Sequence, residues 1–182
     1  MSEKMTRSGF FGRVSVSPVV WLSLMGMLIA LEVVLERLVA INLLTFKLNL
    51  AFIPVGVAAY LFGPLGGLLC YGLGDVAGSL LFPTGGYNPL FTLTAVLVGL
   101  AFGLFLMGDF KWWKVVAPAF LACTVGTLLL NSLWISMFFS PRGFVPVMVS
   151  RLPEAGIMFA AECILLIPLL GSGKWMTRAL QG

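Results

Sequence analysis

From Pro18 to Gly171 the chain runs as a succession of apolar stretches, most of them close to a membrane's thickness, with the second, beginning beside Lys47, shorter. A helix needs roughly 20 apolar residues to cross about 30 Å of hydrocarbon. Hydrophobic residues make up 60% of the sequence and charged ones only 10%, whereas a soluble domain averages about a quarter charged. The pattern predicts an all-α integral membrane protein, a bundle of six transmembrane helices near 18–41, 48–62, 64–82, 89–108, 112–138 and 151–171. Residues 1–17 then form an N-terminal segment, 18–171 the membrane domain and 172–182 a tail.

An even number of spans puts both termini on one side, and the positive-inside rule chooses it. With the termini cytoplasmic, Lys4, Arg7, Arg13, Lys111, Lys114, Lys174 and Arg178 lie inside; Arg37, Lys47, Arg142 and Arg151 lie outside. Seven inner cations against four set the expected orientation. Trp112, Trp113 and Trp175 then fall at the inner interface, a preferred place for indole rings. The four outer cations run against this bias. They read either as snorkelling or locally paired side chains, Arg151 with Glu154 for example, or as an electropositive mouth for an anionic solute.

Several chemistries are disfavoured from the start. There is no histidine, the commonest general base and transition-metal ligand. Cys70, Cys123 and Cys163 are isolated within apolar runs, with neither metal spacing nor a disulfide framework. No metal or other cofactor is expected. The net charge of +4 is dispersed, which does not suggest nucleic-acid binding. The apolar run after the basic leader is too long for a cleavable signal peptide.

Glu32, Asp75 and Glu162 fall well inside predicted spans. An ionisable group near mid-bilayer costs roughly 2.5–3.5 kcal/mol, so it faces the bundle interior with a partner or a task. Asp75 follows Pro64 by eleven residues, about 16 Å along a helix. Its helix leads into Phe82-Pro83-Thr84-Gly85-Gly86-Tyr87-Asn88-Pro89. Pro83 ends one span and Pro89 starts the next. The glycine pair lets a ligand approach the main chain. Such backbone near membrane depth is tolerated where it is buried or lines a wet cavity. Small residues recur at Gly74/Gly78, Gly99/Gly103 and Gly26/Ala30, spacings that let helices pack closely.

The runs ALEVVLERL, KLNLAFIPVGVAAYLFGPLGG, GDVAGSLLFPTGGYNPLFTLTAVLVGLAFGLFL and LLLNSLWIS resemble the folate-family substrate-binding component of energy-coupling factor vitamin transporters. The resemblance covers residues 20 to 172, and its most specific part runs from Asp75 to Leu93. Leu90 stands where the family usually has glycine, and Glu36 where it usually has serine. The resemblance implies a six-helix protein of prokaryotic cell membranes with an outward-opening vitamin site. It also implies a transmembrane coupling subunit and two ATPases as partners. Gly26 and Ala30 match the family's docking face by position. No Walker motif occurs in the chain, so ATP chemistry would come from the partners.

Folate has a dianionic glutamate tail, which Arg37, Lys47 and Arg151 are suited to neutralise. Its pterin offers a ring N–H beside an exocyclic amine, a fork for a carboxylate, with Asp75 the candidate acceptor and Asn131 the alternative. Tyr87 and Trp134 are the candidate stacking partners, and Thr84, Gly85 and Gly86 belong to the same site. Segments 42–47 and 83–88 would gate it. Another vitamin such as pantothenate is the alternative substrate. An intramembrane enzyme finds no support in the residues, with no histidine and no GxSxG elbow, and a structural scaffold would leave the acids without a ligand.

Overall fold

The computed structural model describes residues 13–14, 16–42, 47–83, 87–173 and Thr177. The described chain is helical apart from one minimal ribbon. Helix α1 covers Pro18–Leu38, and strands β1 (Ile41–Asn42) and β2 (Lys47–Leu48) pair antiparallel after it. Helix α2 is Phe52–Leu81 and α3 is Pro89–Phe105. Helix α4 is Trp113–Phe138, a short α5 is Phe144–Ser150, and α6 is Leu152–Gly171. Among the described residues, four helices are long and apolar enough to cross a membrane: α1, α2, α4 and α6.

Helix α2 is in fact a hairpin. Gly63 takes φ 67° and ψ −154°, a backbone state that glycine alone enters freely. Pro64 follows it and cannot donate to the preceding turn. The limb 64–81 therefore folds back on 52–62. A Cβ added at Gly67 would lie 3.2 Å from the Ala59 methyl, whereas eight residues of continuous helix would separate the two by about 12 Å. The expected break between the second and third spans stands where the sequence placed it.

This hairpin is the buried centre. Phe62, Val55 and Cys70 from it, Phe102 and Leu106 around α3, and Leu166 and Leu170 from α6 are almost wholly enclosed. Leu22 and Met27 on α1, Leu80 on α2 and Ile164 on α6 face outward instead, as an apolar surrounding solvent permits.

The ends of the helices group cleanly. At one end the backbone N–H of Arg13 donates to Leu61 O at 2.9 Å. Its guanidinium donates to Leu106 O at 2.8 Å and to Gly108 O, and it lies 3.8 Å from the centre of the Tyr60 ring. Lys114 Nζ donates to Met107 O at 2.6 Å. These cations answer carbonyls of the turn that follows α3, which no further helical turn can satisfy. At the other end lie the ribbon, Pro83, Phe139 and Arg151.

Two stretches depart from ordinary helix. In Val34–Leu38 and Ala122–Asn131 the backbone bonds run from residue i to i+5; Val39 N–H, for example, reaches Val34 O at 3.1 Å. Wide turns of this kind are rare and gather at functional sites. The first span also ends at Leu38 rather than 41, and the presumed connection 139–150 contains α5.

Helices α2 and α3 meet backbone to backbone, with a Cβ at Gly67 or Gly99 colliding with the other's carbonyl. Gly99→Leu should force the helices apart at a cost of at least about 1–3 kcal/mol. A clear drop in the detergent melting temperature checks this, and an unchanged value would show that the contact carries little.

Candidate functional site

Between α1, α2, α3, α4 and α6 lies a cavity of about 450 Å³. Its wall is polar because each of these helices turns at least one polar residue inward. The centre of the wall is Asp75, 8% exposed. Arg37 Nη2 stands 3.2 Å from Asp75 Oδ1 and also donates to Ser79 Oγ at 2.8 Å. Thr92 Oγ1 donates to Asp75 Oδ2 at 2.6 Å, and the Tyr87 hydroxyl is 3.1 Å from the same Thr92 oxygen. A chain of hydrogen bonds thus joins α1, the second limb of α2 and the start of α3.

The glycine pair of α2 has its use here. A Cβ at Gly74 would strike the Glu32 carboxyl, and one at Gly78 would come within 2.9 Å of Arg37 Nε. Gly74 and Gly78 accept charged side chains of α1, whereas Gly67 and Gly99 accept a neighbouring backbone. The first wide turn carries Glu36 and Arg37 to the cavity. The second carries Gly126, Thr127 and Asn131, so that Gly126 and Asn131, five residues apart, both line it.

Of the residues that sequence chemistry singled out, Arg37, Asp75, Tyr87, Asn131 and Arg151 line this one cavity. Trp134 is not in the lining; its indole N–H donates to Thr94 Oγ1 at 3.1 Å, and Thr94 is in the wall. Thr84, Gly85 and Gly86 and the Lys47 side chain lie outside the described residues. Arg37 and Asp75 were expected to serve opposite ends of a ligand, yet they are bonded to each other. Arg151 pairs with Glu154 at 3.0 Å, and its Nε is buried with no hydrogen-bond partner.

Sequence reasoning missed Asn49, Phe52, Thr94 and Glu154 as lining residues. Asn49 carried a signal: its Oδ1 accepts from Ala51 N at 3.1 Å as a turn just before a helix. Thr94 carried none, since a threonine within a span usually bonds its own helix, as its hydroxyl also does to Leu90 O at 3.1 Å. Gly26 and Ala30 are exposed on the outer face of α1, with nothing within 4 Å of a Cβ built at Gly26.

With side chains only 10% and 11% exposed, the Arg37–Asp75 pair is costly to halve. Arg37→Met should lower stability by about 3–5 kcal/mol, because it strands a buried carboxylate. Adding Asp75→Leu should recover most of that loss. Thermal unfolding of the ligand-free protein in detergent reads both, and a double variant no better than the single would show that the pair is not the source.

The sequence matches the family described as ECF transporter, substrate-specific component, over residues 22–170. It is 31% identical over 143 residues to a protein of Clostridium novyi named folate transporter FolT, covering 78% of this chain and 83% of that one. It is also 31% identical over 167 residues to a folate transporter FolT of Leuconostoc mesenteroides, covering 88% of each. Its fold is similar, at a TM-score of 0.75 and 33% identity, to a structure described as FolT bound with folic acid, over 82% of this chain and 92% of that one. The polar cavity and the apolar helices around it therefore belong to a membrane protein of the ECF transporter family, and the chain is one of its substrate-specific components.

Proposed function

We propose that this chain captures folate for an energy-coupling factor importer in a prokaryotic cell membrane. The observation that carries the reading is the cavity. At about 450 Å³ it falls in the range of about 300–1,000 Å³ typical of sites for molecules of this size. It sets aromatic and aliphatic residues beside charged, amide and hydroxyl groups, as a flat heterocycle with a charged tail requires. The similar proteins named as folate transporters favour the same ligand.

In this reading α1, the two limbs of α2, α3, α4 and α6 make six membrane passages with both termini in the cytoplasm. The clustering of Arg13 with the ends of the first limb and of α3 supports that arrangement, as does the excess of cations on that side. The cavity mouth then faces outward. Arg151, together with Lys47, meets the glutamate tail at the mouth, where charge-assisted hydrogen bonds are strongest. Tyr87, half exposed, offers a ring for stacking beside the mouth. Arg37 and Asp75, bonded to each other, serve as one polar wall along which the ring system lies. Trp134 holds Thr94 in place behind it.

Release inward needs partners. The coupling subunit would dock on the bare face around Gly26 and Ala30, and two ATPases would drive reorientation of the whole bundle in the membrane. The subunit itself performs no chemistry on the vitamin.

Purified protein in detergent should bind folic acid saturably, one molecule per chain, with pantothenate failing to compete. Displacement by pantothenate, or saturation by it alone, would overturn the substrate. Ala30→Trp should leave the Kd for folic acid unchanged and abolish folate uptake by cells that supply the partner subunits. Full uptake by that variant would remove α1 as the docking face.

A further inference from the structure

We propose that Glu162 reads the hydrogen-bond donor edge of the ligand's heterocycle at the deep end of the cavity. The inference rests on the folate reading and adds to it the residue that sets selectivity for the ring. Glu162 is 5% exposed, it lines the cavity, and its Oε2 has no hydrogen-bond partner. Buried polar groups in native proteins are nearly always paired, and one that is not calls for an explanation. In a membrane-embedded bundle the need is greater, because no lipid atom can answer a carboxyl.

The other carboxyls of the wall, Glu36, Asp75 and Glu154, each have a partner, Glu36 through the Glu32 carboxyl beside it. Asp75 takes Arg37 on one oxygen and Thr92 on the other. Glu154 takes Arg151. Glu162 lines the same wall, and its buried Oε2 has nothing donated to it among the described residues.

Its place along α6 defines what it meets. Arg151, Glu154, Met158 and Glu162 all line the cavity, at spacings of three, four and four residues that form a single helical stripe. The rise of a helix sets Glu162 about 16 Å deeper than Arg151. One stripe thus carries, at the mouth, a guanidinium whose Nε is buried and unanswered, and, at depth, a carboxyl with a free acceptor. Met158 lies between them. Asn131 on α4 adds a second acceptor without a partner, its Oδ1. A ligand that satisfies the stripe is anionic at one end and rich in N–H donors at the other. A ring N–H beside an exocyclic amine fits a carboxylate through two parallel hydrogen bonds. An anion with no donor edge would leave Glu162 facing it without compensation.

The test is a cycle of one ligand group against one side chain. Folic acid and its 2-deamino analogue, which lacks the exocyclic amine, are titrated against the wild-type protein and Glu162→Gln in detergent. The wild type should prefer folic acid by about 10- to 100-fold, the range expected when a buried acceptor loses its donor. Glu162→Gln should bind both ligands weakly and keep little of that preference. The melting temperature of the ligand-free variant reports its folding. Should that variant fail to fold, Glu162→Asp, which withdraws the carboxylate by one methylene, should reduce the preference in the same way. A variant that keeps the wild-type preference overturns the assignment of Glu162, as does a wild type with no preference at all. A wild type that binds neither compound overturns the folate reading instead.

Discussion

Arg37 and Asp75 face one another 3.2 Å apart between α1 and the second limb of α2, and much of the bundle's arrangement follows from that contact. Neither charge is tolerable alone in hydrocarbon, where a charged side chain must find a partner, a cavity or the interface. Together they still need their remaining hydrogen bonds met, and Ser79 and Thr92 supply two of them. Those partners come from different helices, so satisfying one ion pair fixes α1, α2 and α3 at once. Gly74 and Gly78 make the approach possible, because any side chain there would occupy the space taken by Glu32 and Arg37. The polar groups turn inward because the alternative is lipid. A wall of such groups on five helices, with bulk omitted between them, is what makes the cavity.

Two of the three irregular stretches of backbone border the same space; the third, at Gly63, lies at the opposite end of the bundle. The reversal at Gly63 closes the buried hairpin, and the wide turns in α1 and α4 both deliver residues to the wall. An ordinary helix repeats every 3.6 residues and would carry Gly126 and Asn131 apart around its circumference. The widened turn keeps both facing the cavity, one providing room beside Val98 and the other an amide. The two widened turns thus sit where the cavity is.

Much of this was legible because the membrane simplifies the code. Apolar length marked the helices, Gly63-Pro64 marked the hairpin, and the scarcity of charge made Asp75, Glu162 and Arg37 conspicuous. What could not be read was pairing. Arg37 and Asp75 are 38 residues apart, and nothing in either helix says that they meet rather than serve separate ends of a ligand. Trp134 shows the same gap: its position on α4 was right for a ring near the site, but its partner is Thr94, 40 residues away on α3. Widened turns were invisible as well, since they arise from packing and leave no periodic mark on so uniformly apolar a run. The end of α1 slipped and α5 went unread for a simpler reason, because residues 39–50 and 139–151 mix apolar and polar residues without a clear stop.

Helix α1 holds the two halves of the proposed activity together. Its inner side presents Glu32, Glu36 and Arg37 to α2 and the cavity, while Gly26 and Ala30 lie bare on the opposite side. The hydrogen-bond chain from Tyr87 through Thr92 and Asp75 to Arg37 reaches α1 from the segment beside the cavity mouth. In the proposed reading, a ligand that draws on Asp75 or Arg37 competes for bonds that join α1 to α2. Any shift is felt on the outer face of the same helix, as a rigid rod cannot move on one side alone. In the proposed reading, the binding site and the docking face therefore share one continuous element, whose wide turn at Val34–Leu38 lies beside the cavity.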